Sequence, residues 1–132
     1  MPVNGNVMSN MLTKSLLVIC CVSLILGCAS YGGHKTKKVS DANEMERILN
    51  LEIPTGSNIL KAESIMRSEG FSVKYQINGS FSNNGRVYDN LTYLYCDRTD
   101  GGPIVVQRWQ IAVVHSNGKV KNILVSTGFV GP

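Results

Sequence analysis

Residues 57–77 read Ser-Asn-Ile-Leu-Lys-Ala-Glu-Ser-Ile-Met-Arg-Ser-Glu-Gly-Phe-Ser-Val-Lys-Tyr-Gln-Ile, and this stretch decides the fold. Its first half predicts an amphipathic helix, because four apolar residues share one face at helical spacing: Ile59, Ala62, Ile65 and Met66. Gly70 then follows where a left-handed backbone ends a helix, and Phe71 is expected to fold back on the last turn. Its second half predicts a half-buried strand, in which apolar and polar residues alternate through Phe71, Val73, Tyr75 and Ile77.

Upstream of this stretch, the sequence predicts another helix. Asp41 and Glu44 form a capping-box-like pair at its start. An apolar stripe follows at Met45, Ile48 and Leu49. Residues 50–56 contain Pro54 and Gly56 and are expected to connect the two helices, with Ser57 capping the second.

Downstream, the pattern predicts three more strands. Residues 78–86 are polar and are expected to form a loop before strands at 87–96, 104–115 and 120–127, with a tight hairpin at Asn117-Gly118. Helices followed by antiparallel strands indicate an α+β domain over residues 41–132. We expect two N-terminal helices packed on one face of a four-stranded antiparallel sheet.

The N-terminal part of the chain has the character of an export signal. Residues 16–27 are uncharged and largely apolar, follow Lys14, and are too short for a spanning helix, which needs about 20 residues. The end of this run, Leu24-Ile25-Leu26-Gly27-Cys28, resembles the lipobox of bacterial lipoproteins, although Leu26 is bulkier than the residue preferred there. The resemblance implies a signal peptide at 1–27, acylation of Cys28 and, because Ala29 follows, the outer membrane with the protein facing the periplasm. Met1, Met8 and Met11 remain alternative translation starts.

Residues 28–40 are expected to form a flexible tether from the lipidated cysteine. Three lysines lie in it, Lys35, Lys37 and Lys38. They either contact anionic headgroups or keep the tether soluble, and the sequence leaves both interpretations open.

Composition and chemistry exclude several functions. The chain has 132 residues, 13 Lys and Arg against 9 Asp and Glu, and a net charge of +4, which is too weak to indicate nucleic-acid binding. Its two histidines, His34 and His115, have no setting for a catalytic triad, and no metal-ligand cluster or phosphate loop is apparent. We expect no enzyme activity, no metal and no cofactor. Once the signal peptide and Cys28 are set aside, Cys96 remains alone, so we expect a buried thiol and a monomer.

One sheet face is the candidate site for a partner. If Cys96, Trp109, Ile111 and Val113 face the helices, the opposite face carries Lys74, Gln76, Tyr93, Tyr95, Arg108 and Gln110. Aromatic and arginine side chains are enriched where proteins bind one another. The alternative is that these residues only pack the sheet, and a register slip of one residue would invert the assignment.

Residues 53–132 carry a set of short motifs: Ile53-Pro54-x-Gly56, Ala62-x-x-x-Met66, Gly70-Phe71, Leu94-Tyr95-Cys96-Asp97-Arg98, Arg108-Trp109-Gln110 and the segment 126–132. With these motifs the chain resembles a group of small uncharacterised proteobacterial lipoproteins. The order of elements also resembles the small lipoprotein of the outer-membrane β-barrel assembly machinery and the repeat of β-lactamase inhibitor protein, a likeness of fold only. The first resemblance implies a cysteine where Val73 stands, paired with the one at Cys96. This chain does not have that pair, although Val73 and Cys96 could still be neighbours on adjacent strands.

These observations predict a membrane-anchored lipoprotein that serves as a periplasmic interaction or structural module. Its partners would be the bilayer, through acylated Cys28, and an envelope protein. The alternative is a lipid-anchored inhibitor or ligand-binding domain directed against a secreted hydrolase or a cell-wall fragment.

Overall fold

The computed structural model describes residues 34–131. The chain forms α1 (Ala42–Glu52) and α2 (Ile59–Ser68), followed by β1 (Ser72–Asn83), β2 (Arg86–Gly101), β3 (Val106–Ser116) and β4 (Lys119–Val130). All neighbouring strands are antiparallel, in the order β1-β2-β3-β4. The predicted α+β class, with two helices and a four-stranded antiparallel sheet, is confirmed. The predicted signal peptide at 1–27 and Cys28 lie outside the described residues.

α1 begins as predicted and ends later than predicted. The Asp41 carboxylate accepts a hydrogen bond from the Glu44 backbone N–H at 3.0 Å, which satisfies one of the unpaired donors at the helix start. The helix then continues through residues 50–52, which were expected to belong to the connection, and the Ile53 N–H bonds the Leu49 carbonyl at 2.7 Å. Met45 and Leu49 are buried, so the predicted apolar stripe does face the interior.

α2 is capped by Asn58 and not by Ser57 as predicted. The Asn58 side chain accepts from the Leu60 N–H at 2.8 Å, whereas the Ser57 hydroxyl bonds the Pro54 carbonyl. At the other end the Phe71 N–H bonds the Met66 carbonyl, and the Gly70 N–H bonds the Arg67 carbonyl. With Gly70 at φ +88° this is a Schellman motif, which is the predicted end of the helix.

The β1–β2 hairpin is longer than the sequence indicated. Residues 78–86, which were expected to form a polar loop, instead continue both strands to a two-residue turn at Asn84-Gly85. The pairing is irregular between Gln76 and Phe81, and both Asn78 and Asn90 adopt left-handed backbone angles. Such irregularities bend a strand. The polar composition that suggested a loop therefore marks a bent hairpin arm.

The main hydrophobic cluster joins the helices to alternate residues of the sheet. The fully buried Trp109, Ile111 and Val113 of β3 belong to it, as does Cys96 of β2. Helix residues of the same cluster are Met45, Leu49, Ile59, Ala62 and Met66. The inward assignment of Cys96, Trp109, Ile111 and Val113 is therefore confirmed, and the register is not inverted.

The sequence predicted that four alternating residues, Phe71, Val73, Tyr75 and Ile77, lie on the buried side of β1. This prediction is wrong for the last two. Phe71 and Val73 are buried, but Tyr75 is 51 % exposed and Ile77 is 75 % exposed. Tyr75 still reaches α2, where its hydroxyl donates to the Glu63 carboxylate, but neither its ring nor Ile77 belongs to the main cluster.

Residues 34–40, the described part of the predicted tether, contact the domain. Thr36 is fully buried, and its hydroxyl donates to the Glu69 carboxylate at 2.9 Å. The Lys35 ammonium pairs with Glu52 at 2.7 Å, and Val39 packs against the main cluster. This part of the chain is thus held against the helices and does not form a free linker.

Candidate functional site

The six predicted face residues lie on the sheet face opposite the main cluster. Register places Lys74 beside Tyr95 and Gln76 beside Tyr93, while Gln110 lies opposite Asp97 and Arg108 opposite Thr99. Five of the six directly neighbour residues of the main cluster along their strands, and Gln76 lies on the same face because it is two residues from Lys74 and opposite Tyr93. The sequence therefore identified one continuous face, but its prediction that every member is exposed fails at one residue.

Tyr93 is the exception, because it is only 4 % exposed. It belongs to a second hydrophobic cluster with Phe81, Ala112, Val114 and Leu124. Its hydroxyl donates to the Ser80 carbonyl at 2.8 Å, and its ring meets Phe81 edge-on with centroids 5.9 Å apart. The expectation that Tyr93 is exposed is wrong, since the bent hairpin arm brings Ser80 and Phe81 against it.

The remaining members form a polar surface with Asp97, and we call this set the open-face patch: Lys74, Gln76, Tyr95, Asp97, Arg108 and Gln110. Tyr95 and Gln110 are half-buried and joined by a 2.6 Å hydrogen bond from the Gln110 amide to the Tyr95 hydroxyl. The Arg108 guanidinium donates two hydrogen bonds to the Asp97 carboxylate, from Nε to Oδ1 at 3.1 Å and from Nη2 to Oδ2 at 2.8 Å. The hydrogen bond to Asp97 raises the pKa of Arg108, so this guanidinium stays charged. The patch is thus an ordered, pre-arranged polar surface.

A second polar cluster, which the sequence did not reveal, surrounds Arg98. Its side chain is 6 % exposed and lies over the Phe71 ring at 4.4 Å. The guanidinium Nε and Nη2 both donate to the Asp100 carboxylate. Nη1 donates to the Thr36 hydroxyl and to the Glu69 backbone carbonyl. Nη2 also donates to the Thr36 backbone carbonyl. These bonds engage all five N–H groups of the guanidinium. We call Thr36, Glu69, Arg98 and Asp100 the arginine clip.

A groove of about 360 Å³ runs beside the clip and is lined by Gly70, Ser72, Asp97, Arg98 and Thr99. The buried cation in its lining is Arg98, and no N–H group of that side chain is left to bind a ligand. The Arg98 guanidinium is therefore fully engaged by protein acceptors and acts as a structural connector.

Cys96 and His115 are two further reactive side chains whose pKa values are shifted by burial. Burial raises the pKa of the Cys96 thiol to about 12, so it remains protonated, and burial lowers the pKa of His115. The His115 ring meets the Tyr75 ring edge-on, with centroids 6.3 Å apart. Within residues 34–131 there is no group of three or more histidine, cysteine or acidic side chains able to hold a metal.

Neither α1 nor α2, the helices within 34–131, is long and apolar enough to cross a membrane.

Comparison with known proteins gives no relative: no family model, no curated protein and no solved structure matches this chain.

Proposed function

We propose that this chain is a lipid-anchored bacterial envelope protein and that its folded domain is a periplasmic interaction module without catalytic activity. The observation that carries the proposal is the position of Cys28. It stands where the apolar run 16–27 stops and only six residues before the described domain begins at His34. A thiol at that border is where a lipoprotein is acylated, as the lipobox resemblance implies.

In this proposal both helices cover one face of the sheet and leave the other face available to a protein partner. The shared cluster supports the arrangement, because buried residues of α1 and α2 join the alternate residues of β1 to β4 that point to one side. The bent hairpin arm covers part of the other side. What remains is the open-face patch.

The anchor is tested by the intact mass and the membrane fractionation of the full chain expressed in a Gram-negative bacterium. We expect the protein to lose residues 1–27, gain acyl chains and fractionate with the outer membrane, since two or more acyl chains give stable anchoring. The Cys28→Ser variant should keep its leader and gain no acyl mass. The matched control is Cys21→Ser, which removes a neighbouring thiol from the apolar run and should be processed normally. A wild-type protein that keeps residues 1–27, or carries no lipid, would contradict the proposal.

We further propose that the open-face patch binds a membrane-embedded envelope protein. Aromatic and arginine side chains are the residues that most often carry binding energy, and the fixed Tyr95–Gln110 and Arg108–Asp97 pairs reduce the entropy lost on binding. Asp97 and Arg108 also occur in motifs by which the chain resembles the small proteobacterial lipoproteins.

Co-purification from detergent-solubilised membranes tests this surface. The combined Tyr95→Ser and Arg108→Ala variant should recover about tenfold less partner, a loss of about 1.4 kcal/mol, while keeping the thermal unfolding of the wild type. Lys61→Ala, which changes an exposed lysine on α2, should recover the wild-type amount. Equal recovery by both variants would contradict the assignment. Capture of a secreted hydrolase or of cell-wall fragments would instead favour the inhibitor or ligand-binding alternative.

A further inference from the structure

One end of the sheet carries a group of exposed apolar side chains. They are Ile104, Val105, Phe129 and Val130, and we call this group the apolar end. Phe129 is 76 % exposed and Ile104 is 72 % exposed. Strand pairing brings the two segments together, because Val106 lies opposite Val130 and Gln107 lies opposite Phe129.

The turn that presents Ile104 is fixed by the backbone. Gly101 has φ +141°, and a Cβ at this position would come within 2.8 Å of the Val105 carbonyl oxygen. Only glycine fits there without displacing the chain. This tight turn is followed by Ile104 and Val105, whose side chains are both exposed.

The N-terminal segment of the described chain is fastened at the same end of the sheet. Gln107 Nε2, next to Val106 on β3, donates to the Ser40 carbonyl at 3.0 Å. Arg98, three residues before the end of β2, holds the buried Thr36 through both its hydroxyl and its carbonyl. The clip thus sets the place from which the chain leads back towards Cys28.

Chain length then limits how far the lipid can be from this end. His34 lies six positions after Cys28, and six residue steps span at most about 20 Å when fully extended. Lys37 and Lys38 lie in the clipped segment, are exposed, and form no ion pair with a residue in 34–131. The two lysines thus lie between Thr36 and Ser40, which are both bonded near this end of the sheet. Free cations and exposed apolar side chains at one end of a domain suit a surface of anionic headgroups over acyl chains.

We infer that the apolar end inserts into the interface of the lipid bilayer and holds the domain in one orientation on the membrane. This inference rests on the proposed anchoring at Cys28. It assigns to the clip the role of directing the apolar end towards the lipid, and it leaves the open-face patch to the side for a protein partner.

Quenching of tryptophan fluorescence by lipid tests the inference on the full chain. The Phe129→Trp variant is purified from bacterial membranes and reconstituted into vesicles of phosphatidylethanolamine and phosphatidylglycerol, with and without bromine on the acyl chains. Its emission should fall by about half in the brominated vesicles, because an interfacial side chain lies about 5–10 Å into the boundary of headgroups and acyl chains.

The matched control is Leu60→Trp. Leu60 is 67 % exposed and lies near the start of α2, where Asn58 bridges Lys119 at the opposite end of the sheet. Its emission should be unaffected by bromine. The buried Trp109 is common to both variants and cancels in the comparison.

The outcomes separate this inference from the proposed function. An acylated protein that floats with the vesicles but shows equal quenching at both positions would overturn the inference and leave the anchor intact. A protein without acyl chains that is still quenched in the Phe129→Trp variant would support the apolar end and contradict the anchor. Loss of both signals would overturn both. A spectral shift that occurs without vesicles and grows with protein concentration would assign the apolar end to self-association instead.

Discussion

At the scale of single residues, Cys96 shows how burial sets chemistry. Its side chain is fully buried in the main cluster, between the neighbouring strand positions Val73 and Ile111. Burial is the largest cause of its raised pKa, because an apolar interior disfavours the thiolate. A protonated, inaccessible thiol neither attacks a substrate nor forms an intermolecular disulfide in the folded state.

This pKa predicts a specific pH dependence of stability. The ordinary thiol pKa is 9.0 and that of folded Cys96 is about 12. Between these values the unfolded chain has released the proton that the folded chain keeps, so the free energy of unfolding falls as pH rises, by up to about 1.4 kcal/mol per pH unit. Below pH 9 both states are protonated and this contribution is constant. Urea unfolding of the wild type and of Cys96→Ala between pH 7 and 11 measures the difference, and equal slopes in the two proteins would contradict it.

At the scale of elements, the bent β1–β2 hairpin is the feature with most effect on the surface. It buries Tyr93 and creates the second cluster around Phe81. Without this arm the face opposite the main cluster would expose two tyrosines and several aliphatic side chains. The arm therefore reduces the accessible face to the open-face patch.

Truncation of Phe81 tests the contribution of the arm. We expect Phe81→Ala to lower the free energy of unfolding by about 3 kcal/mol, because it removes the ring that packs on Tyr93 and leaves a cavity. Phe129→Ala makes the same chemical change at a position that is 76 % exposed and should alter stability by less than about 0.5 kcal/mol. Chemical denaturation of both variants provides the comparison. Similar losses in the two would show that the arm does not pack on the sheet.

The pairing of β1 with β2 permits another test at this scale. Val73 and Cys96 are directly opposite each other, as the sequence left open. Opposed residues on antiparallel strands have Cα atoms about 4.5–5.5 Å apart, which is within the range of a disulfide. We expect Val73→Cys to form an intramolecular disulfide with Cys96 on oxidation, and the mass of the tryptic peptides detects it. The control is Tyr75→Cys, which lies two residues further along the same face of β1 and opposite Leu94. It should not form a disulfide with Cys96. Failure of Val73→Cys to cross-link would contradict the register and weaken the resemblance that suggested the pair.

At the scale of the whole molecule, the arginine clip joins parts of the chain that are far apart in sequence. Arg98 contacts Thr36 across 62 residues and Glu69 across 29. The Glu69 carboxylate in turn accepts from the Lys35 and Thr36 backbone N–H groups. The clip therefore fastens the N-terminal segment to both the end of α2 and the sheet.

Removal of the guanidinium should release that segment. We expect Arg98→Ala to lower the free energy of unfolding by about 3 kcal/mol, because it leaves buried acceptors without partners. We also expect the backbone amides of residues 35–36 to exchange with solvent much faster, as hydrogen–deuterium exchange would show. Arg108→Ala removes the same side chain from the exposed pair with Asp97 and should leave both measurements almost unchanged. Unchanged exchange at residues 35–36 in Arg98→Ala would show that the clip does not hold the segment.

Local pattern accounts for most of what the sequence predicted about the fold. The cap at Asp41, the Schellman motif at Gly70 and the hairpin at Asn117-Gly118 each depend on a few consecutive residues. The alternation along β3 placed Trp109, Ile111 and Val113 inside because side-chain direction in a strand has a period of two. The prediction fails at residues 78–86, because polar composition indicates a loop there although the turn itself needs only Asn84-Gly85.

By itself, then, the sequence determined the elements, their order, the inward side of the sheet and the candidate lipidation site, since each is encoded within one helical turn, one strand or one short motif. Only the tertiary structure decided that Tyr93 is buried, that Arg98 is a connector and that Thr36 belongs to the domain. These outcomes depend on where a bent hairpin arm lies and on contacts across up to 62 residues. Such contacts form only when distant segments fold together, so no local pattern specifies them.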